Sequence, residues 1–439
     1  MSRGNSSRNV NNLLSIIDNS TLMYNTKPYD KKSLWRLTKD LKASQRYLIH
    51  KGEATVGADQ RFDEVAGPPS LRIVELDPQT DPRWETLMTR LPTSVMYQHP
   101  AWLGVLEETY GYKPLHLGCE DATGQLRGIL PLMYRRGLRS GRVCASLFDS
   151  LIAGPLAYDD QAKAILIQAA IEPELGVQFQ LKVRSTSLDR LVDGVVGMPM
   201  YETYELALPE RPDLLRLDSR IKWAANKATR LGMQTRQAET EGELRAWYGL
   251  YLQTMRRLVA VPKPYRFFEL AWQRLSPQGL LRLLLAEHVE AGKSRLVAGF
   301  LYLQWGQTIS HMFAGWRRED HALRPNDLLH WRAIQDACTK GFRWYDFGNV
   351  TVGNQSLAQF KSKWGAETKM IYRYSYPAVS RGSTSVPTAQ STSVPATQPN
   401  SIPTQSKSVV RQLVYPLWQH LPIKAIELLG DWCHMFHYY

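Results

Sequence analysis

Side chains able to carry out acid–base chemistry are concentrated in two short segments late in the chain. Residues 344–348 read Trp-Tyr-Asp-Phe-Gly, and residues 360–365 read Phe-Lys-Ser-Lys-Trp-Gly. In the first segment, Asp346 either takes a proton from a substrate or caps the turn that follows it. His311 stands upstream in a strand-like stretch and is the one well-placed neutral base, although a single strand histidine is more often structural.

The motifs of several enzyme classes are missing from the sequence. It has no G-x-S-x-G, no H-E-x-x-H and no P-loop lysine motif. Asp346 opens an Asp-Phe-Gly tripeptide that resembles the kinase magnesium motif, but no H-R-D loop or Gly-rich phosphate loop accompanies it. The four cysteines form no CxxC pair, so we predict neither a disulfide framework nor a metal site.

The charge of the chain favours anionic partners. It has 54 Lys and Arg against 41 Asp and Glu, a net charge of +13, which suits nucleic acid, anionic lipid or a phosphorylated substrate. Arg324 and Asn326 stand where a helix is expected to begin and could bind a phosphate or carboxylate there, although Asn326 could instead cap that helix. A second predicted helix carries a basic cluster that is either solvated or binds an anionic substrate: Arg220, Lys222 and Lys227.

One pattern of elements occurs twice between residues 71 and 376. A strand, a Gly-containing turn and a second strand are predicted over residues 114–134 and again over residues 281–303. Helical stretches precede each hairpin, over residues 84–110 and 241–275. The second copy continues with a strand over residues 307–316, a helix that ends at Gly341, and a strand over residues 342–347. This order predicts an α/β fold in which a mixed sheet occurs twice.

The ends of the chain differ in composition from this middle. Residues 1–66 are polar and basic and are expected to be largely disordered. Residues 378–410 form a linker rich in Ser, Thr, Pro and Gln, and we expect it to be disordered too. Residues 411–439 are apolar and aromatic again and predict an amphipathic C-terminal segment. The globular part then divides into a first domain over residues 67–205 and a second over residues 206–377, which contains the two segments described first.

No apolar run is long enough to cross a membrane, and none forms a signal-peptide core. We therefore expect a cytoplasmic protein. The C-terminal segment either docks back on the folded body or provides peripheral contact with a partner or with the inner face of the cytoplasmic membrane.

The ordered series of motifs resembles the FemAB-like acyltransferases of the GNAT superfamily, especially the branch associated with exosortase and exopolysaccharide clusters. The resemblance covers about residues 72–376 and part of the tail. It rests on residues 220–228 with Gly232, residues 255–257 with 267–268, Asn326-Asp327 with Trp331, the Asp346-Phe-Gly turn, Phe360-Lys361 with Trp364-Gly365, and residues 418–423 with 429–430. It implies two tandem GNAT-like domains, each a mixed, mainly antiparallel sheet flanked by helices.

The resemblance also implies roles for individual residues. In the family members that build peptidoglycan cross-bridges, a Phe-Lys pair lies where the donor is held, and it maps onto Phe360 and Lys361. Lys361 would then stabilise the oxyanion that develops when an amine attacks an ester or thioester; otherwise it is a solvated helix cation. Phe360 would stack on the donor, with Trp364 beside it. Asp346, judged from its own chemistry and position, either binds the incoming ammonium and takes its proton or caps the following turn.

The function implied is a bacterial acyltransferase of cell-envelope biogenesis. It would transfer an acyl or aminoacyl group to an amine of an anionic peptidoglycan or exopolysaccharide precursor. The donor would be aminoacyl-tRNA or acyl-CoA, with no tightly bound cofactor, and the missing R-x-x-G-x-G/A turn disfavours coenzyme A. Two alternatives are an acetyl-CoA-dependent N-acetyltransferase and a non-catalytic GNAT-scaffold adaptor recruited to an envelope-assembly complex through its termini.

Overall fold

A computed structural model describes residues 70–137, 141–171, 178–184, 186–351, 354–376 and 418–435. The predicted N-terminal segment, residues 1–66, and the predicted linker, residues 378–410, lie outside these ranges. So do residues 411–417 and 436–439 of the C-terminal segment. Nearly all of the described residues belong to one compact unit that begins at Leu71.

The first half of this unit contains eight strands and three helices. They are β1 (Arg72–Glu75), α1 (Pro82–Arg90), α2 (Pro100–Tyr110), β2 (Lys113–Pro114), β3 (Leu117–Glu120), β4 (Leu126–Leu130), β5 (Met133–Gly137), β6 (Gly141–Ala145), β7 (Leu156–Ala157), α3 (Asp160–Ala170) and β8 (Gln178–Val183).

The second half repeats this order of elements at greater length. It contains β9 (Val196–Ala207), α4 (Ser219–Arg230), β10 (Met233–Gln237), α5 (Glu241–Leu258), α6 (Tyr265–Leu275), β11 (Leu281–Glu290), β12 (Lys293–Trp305), β13 (Thr308–Trp316), α7 (Pro325–Thr339), β14 (Trp344–Thr351), α8 (Gln355–Ser362) and β15 (Glu367–Tyr376). The C-terminal helix α9 (Ile423–Met435) follows. The helical stretches and hairpins expected from the sequence are thus present in both halves.

Local sequence explains where the main helices begin. Thr240 precedes α5, and its hydroxyl accepts from the backbone N–H of Glu243 while the Glu243 carboxylate accepts from the N–H of Thr240. This reciprocal pair satisfies two donors that a helix start would otherwise leave unpaired. Asp218 caps α4 by accepting from the N–H of Arg220. α7 instead begins with Pro325, whose fixed φ suits the first helical position.

The strands form one large sheet and one small sheet. Eleven strands follow the order β10-β11-β12-β13-β14-β9-β15-β8-β6-β5-β2, and four follow the order β1-β3-β4-β7. Two neighbouring pairs are parallel, β13 with β14 and β6 with β8. Each parallel pair is joined by a helix, α7 in the second half and α3 in the first, as a parallel connection requires. The mixed, mainly antiparallel α/β architecture in two tandem copies is confirmed.

β9 joins the two halves into a continuous sheet. It pairs with β14 on one side and with β15 on the other, and β15 in turn pairs with β8 of the first half. The predicted boundary between residues 205 and 206 falls inside this strand. As a result, the end of β8 is brought close to β14.

The strand predicted to end at Gly348 continues to Thr351. Gly348 has φ +77°, and the pairing of β14 with β9 shifts register between Asp346 and Asn349. Gly348 therefore forms a β-bulge that bends β14. The sequence had led us to expect that the strand would end at this glycine. β14 pairs with β13 only from Trp344↔Thr308 to Asp346↔Ser310. Beyond Ser310 and Asp346 the two strands are not paired, and we call the point where their pairing stops the gap.

A buried cluster behind this gap fixes β14 against α7 and α4. Tyr345 and Phe347 of β14 pack there with Ile334 of α7 and with Trp364. Because side chains alternate along a strand, Asp346 points away from this cluster.

The C-terminal segment docks on the folded body over its described part. Trp418 and Ile426 are buried in the same hydrophobic cluster as residues of α5 and α6. Glu427 pairs with Arg245 of α5 at 2.9 Å, and Arg256 donates to the backbone oxygen of Leu421 at 3.2 Å. Because Trp418 and Ile426 are buried against the folded body, they are not available to insert into a membrane. Membrane contact by the tail stays a prediction for its remaining residues. No helix among the described residues is long and apolar enough to span a bilayer.

Candidate active site

An open cleft of about 680 Å³ is lined by residues of both halves. Its walls come from residues 91–98 and 152–158, from the end of β8, and from β12, β13, β14 and β15. Four cations and one carboxylate are among the lining residues: Lys163, Lys182, Arg184, Lys369 and Glu205. The lining residues carry 4 − 1 = +3 formal charges, or +2 when Asp346, which pairs with Arg184, is counted, so the cleft is suited to an anionic ligand.

Two cations and two carboxylates meet at the inner end of this cleft, and we call Arg184, Glu205, Asp346 and Lys369 the charge cluster. Arg184 donates from Nη2 to Oδ2 of Asp346 at 2.8 Å and forms a second ion pair with Glu205. Lys369 donates to Oε2 of Glu205 at 2.5 Å. Both carboxylate residues are only 2% exposed. Buried charges of this kind persist only when they are paired and hydrogen-bonded, which these are.

Asp346 caps the turn that follows it, which is one of the two roles expected for it, and its second carboxylate oxygen pairs with Arg184. Its Oδ1 accepts from the N–H of Gly348 at 2.7 Å, so the side chain caps the turn, and from the hydroxyl of Thr203 at 2.9 Å. Its Oδ2 faces Arg184 at the cleft. Burial raises the pKa of Asp346, and the Arg184 charge opposes that rise. The carboxylate therefore accepts a proton more readily than an exposed aspartate does.

Lys361 lies on α8 and is not a solvated cation. It is 7% exposed, and its Nζ donates to the backbone oxygens of Gly348 at 2.9 Å and Asn349 at 3.0 Å. These bonds hold the bulge that follows Asp346. An ammonium has three N–H groups, and these two bonds use two of them. Burial lowers the pKa of Lys361 to about 8, although the Asp346 charge acts in the opposite direction.

His311 lies on β13 just beyond the last residue paired with β14. The positive charge of Lys361 is close enough to affect the pKa of its imidazole. Its ring contacts Phe300 and His330, with centroids 4.5 and 5.1 Å apart. Burial, with a smaller contribution from Lys361, lowers the pKa of His311 to about 3. The imidazole is therefore neutral, as expected, but such a low pKa makes it a weak proton acceptor. Its buried Nε2 has no hydrogen-bond partner among the described residues.

Phe360 and Trp364 both pack against His330 of α7, at ring distances of 5.8 and 5.6 Å. Trp364 is fully buried, so it supports the site from the core and does not line the cleft. Phe360 is half-buried, with the ammonium of Lys363 4.3 Å from its ring centroid. Of the two, only Phe360 has exposed surface for stacking.

Arg324 and Asn326 are both at the start of α7, but the residue at the N-cap position is not the one expected. The N-cap residue is Arg324, in a left-handed conformation with φ +59°, and Asn326 lies inside the first turn. The expectation that Asn326 caps the helix is therefore wrong, because Pro325 already begins it. The Oδ1 of Asn326 is buried without a hydrogen-bond partner among the described residues.

The basic cluster expected to bind substrate lies apart from the cleft. Arg220, Lys222 and Lys227 project from α4, and none of them is among the described residues that line the cleft. Arg324 and Lys227 approach the same ring, that of Trp223. The predicted site residues thus separate into two groups, one around Asp346 and Lys361 and the other around Trp223.

Sequence reasoning missed Arg184, Glu205, Thr203 and Lys369. The available signal was in β9, where Thr203 and Glu205 alternate with Tyr204 and Leu206 and so place polar groups on one face of a buried strand. Tyr97 was also missed; it lines the cleft, and burial, with a smaller contribution from the Asp346 charge, raises the pKa of its hydroxyl.

Comparison with known proteins agrees with this geometry. Residues 216–362 match the family model of the acetyltransferase (GNAT) domain. The crystal structure of FemX superposes with a TM-score of 0.58 at 14% identity, covering 70% of this chain and 97% of that one. No curated protein matches the sequence.

Two further solved structures superpose less well. L-PGS from Bacillus licheniformis gives a TM-score of 0.43 at 12% identity, covering 64% of this chain and 93% of that one. A tandem GNAT protein from the clavulanic acid biosynthesis pathway gives 0.44 at 12% identity, covering 70% and 98%.

The matched domain includes Asp346 and Lys361, and it occupies the half of the sheet in which β13 and β14 part. The second half of the chain therefore contains an acetyltransferase (GNAT) domain. The fold of the chain is that of FemX, as the resemblance to FemAB-like proteins implied.

Proposed function

We propose that this protein transfers an acyl or aminoacyl group to an amine of an anionic cell-envelope precursor. The observation that carries the proposal is the position of Asp346. Its carboxylate belongs to the charge cluster, and its backbone is the last point at which β14 pairs with β13. An amine bound in the cleft would therefore lie next to a carbonyl held in the gap.

The cleft would bind the acceptor. Its excess of cations favours an anionic molecule, and the two buried carboxylates at its inner end favour an ammonium. Glu205 and Asp346 are already balanced by Arg184 and Lys369. They would thus orient an amine by hydrogen bonds without carrying an uncompensated charge.

The gap would bind the donor carbonyl. The third N–H of Lys361 would donate to the oxyanion that forms on attack, because preorganised donors aimed at developing charge are the largest source of stabilisation in acyl transfer. The bound ammonium first gives one proton to solvent. The neutral amine then attacks, a C–N bond forms, and the bond from the carbonyl carbon to the leaving oxygen or sulfur breaks. The second proton passes from nitrogen to Asp346 and then to the leaving group.

The donor is proposed to be aminoacyl-tRNA or an acyl-CoA. The R-x-x-G-x-G/A turn is absent from the sequence, which supports a donor other than coenzyme A. The resemblance to the exopolysaccharide-associated branch supports peptidoglycan or exopolysaccharide precursors as acceptors and a bacterial, cytoplasmic enzyme.

Purified protein tests this proposal directly. Acetyl-CoA, longer acyl-CoA thioesters and charged tRNA are each offered together with amine-bearing envelope precursors, and products are followed by mass spectrometry. We expect one donor to yield an amide whose formation is lost in the Asp346→Asn variant. Amide formation that is equal in that variant, or absent with every donor, would contradict the proposal.

A further inference from the structure

The exposed face of α4 combines an aromatic ring, an aliphatic side chain and several cations. At 100° per residue, Arg220, Lys227 and Arg230 project within about 60° of the direction of Trp223. The opposite face of the helix is buried through Ile221, Ala224, Ala225 and Ala228. α4 is therefore anchored to the body on one side and presents the Trp223 side outward.

Trp223 is unusual for a surface tryptophan. It is 50% exposed, and its ring is approached by the ammonium of Lys227 at 5.1 Å and by the guanidinium of Arg324 at 5.9 Å. Leu231, at the end of the helix, is also exposed, at 39%. Half of Trp223 and more than a third of Leu231 therefore remain exposed beside these cations.

The charge on this face has one sign. From residue 218 to residue 231 the chain carries four cations, Arg220, Lys222, Lys227 and Arg230, against the single carboxylate of Asp218, or 4 − 1 = +3. Asp218 is occupied in capping the helix and pairing with Arg220. Arg324 adds a further cation beside Trp223.

Two kinds of partner are attracted by a basic face with an exposed tryptophan, nucleic acid and an anionic bilayer. Nucleic acid would use the cations and the indole ring. Only a bilayer would also use Leu231, because an aliphatic side chain gains most from the acyl boundary. Tryptophan with flanking Lys and Arg is the composition found at membrane interfaces.

We propose that the exposed face of α4 is a docking surface for anionic phospholipid. The ring of Trp223 and the side chain of Leu231 insert at the headgroup boundary, and Arg220, Lys227 and Arg230 contact lipid phosphates. This surface belongs to the folded body and is separate from the C-terminal segment. It does not depend on the identity of the reaction.

Vesicle co-sedimentation of the full-length protein tests the proposal. The probes are vesicles of phosphatidylcholine mixed with phosphatidylglycerol and vesicles of phosphatidylcholine alone. We expect binding to the first and little to the second. The triple variant Arg220→Gln, Lys227→Gln and Arg230→Gln should bind mixed vesicles about a hundredfold more weakly, since each cation near an anionic surface contributes roughly fivefold. Trp223→Ala should weaken binding without changing its dependence on salt.

The matched control lies on the C-terminal helix, where Lys424 and Leu428 are both exposed. The variant Lys424→Gln with Leu428→Ala should bind vesicles as the wild type does. Circular dichroism of each variant confirms that it is folded. Wild-type binding by the triple variant, or failure of the wild type to bind mixed vesicles, would overturn the proposal. Binding of a single-stranded RNA oligonucleotide through this face, with no binding of vesicles, would overturn it in favour of a nucleic-acid surface.

Discussion

Arg184 and Asp346 are 162 residues apart in the chain, and their side chains form an ion pair with Nη2 and Oδ2 2.8 Å apart. Arg184 follows β8 of the first half, whereas Asp346 lies on β14 of the second. The pair is possible because β9 and β15 stand between these strands in one sheet. The first half thus supplies part of the electrostatic environment of the site in the second.

Removing Arg184 should destabilise the protein. The variant Arg184→Met leaves Asp346 without its charged partner and Glu205 with Lys369 alone. Breaking a buried pair in this way costs about 3 kcal/mol, which thermal unfolding measures. Arg211 pairs with Asp213 on the exposed surface, so Arg211→Met serves as the control and should destabilise the protein much less. Equal losses in the two variants would show that the charge cluster is no more important than a surface pair.

Lys361 should be required for both transfer and local stability. Lys361→Met removes the hydrogen bonds to Gly348 and Asn349 and the N–H proposed for the oxyanion. We expect turnover to fall by about a hundredfold or more and the free energy of unfolding to fall by about 1–3 kcal/mol. Lys363, two residues later, pairs instead with Asp327, and Lys363→Met should retain most of the turnover. Wild-type turnover in Lys361→Met would remove that residue from the mechanism.

The pH dependence should report the protonation of Lys361. Because its pKa is lowered to about 8 and the proposed role needs the ammonium, turnover should decline as the pH rises through 8. In Lys361→Arg the cation persists, so any activity that remains should not decline there. The stability effect has the opposite sign. Between about 8 and the ordinary value of 10.5, the unfolded chain binds the proton more tightly, so this group's contribution to stability increases with pH.

His311 should not act as the titrating base. Its pKa of about 3 lies far below the range in which an ordinary histidine changes charge. The pH profile of turnover should therefore show no inflection near 6.5, and His311→Gln should leave the shape of that profile unchanged. An inflection near 6.5 that disappears in the variant would restore His311 as the general base.

The response to salt should identify the donor. If the donor is aminoacyl-tRNA, each phosphate contact contributes roughly −0.7 to −0.9 to the slope of log affinity against log salt. An acyl-CoA presents fewer phosphates, so its KM should change little, and it should release a thiol. We expect the steep response. A flat response together with thiol release would instead support the acetyl-CoA-dependent alternative.

The sequence predicts the second half of the site better than the first. Asp346, Phe360 and Lys361 stand within short motifs, and the elements that hold them follow from hydrophobic period and helix-end signals. Arg184 and Glu205 belong to no sequence motif, because their contribution to the site depends on which strands become neighbours in the sheet. That pairing is set by β9, whose two partners come from sequence-distant parts of the chain. The motif singles out Lys361, but its two bonds to backbone oxygens could not be predicted, because they depend on the bulge at Gly348.

The central claim is that Asp346 serves amide formation on an envelope precursor. The most direct measurement is mass spectrometry of envelope precursors from cells that lack the protein, complemented with the wild type or with Asp346→Asn. We predict that the wild type restores an acylated amine on one precursor and that the variant, present at the same level, does not. Restoration of the same product by Asp346→Asn would contradict the account.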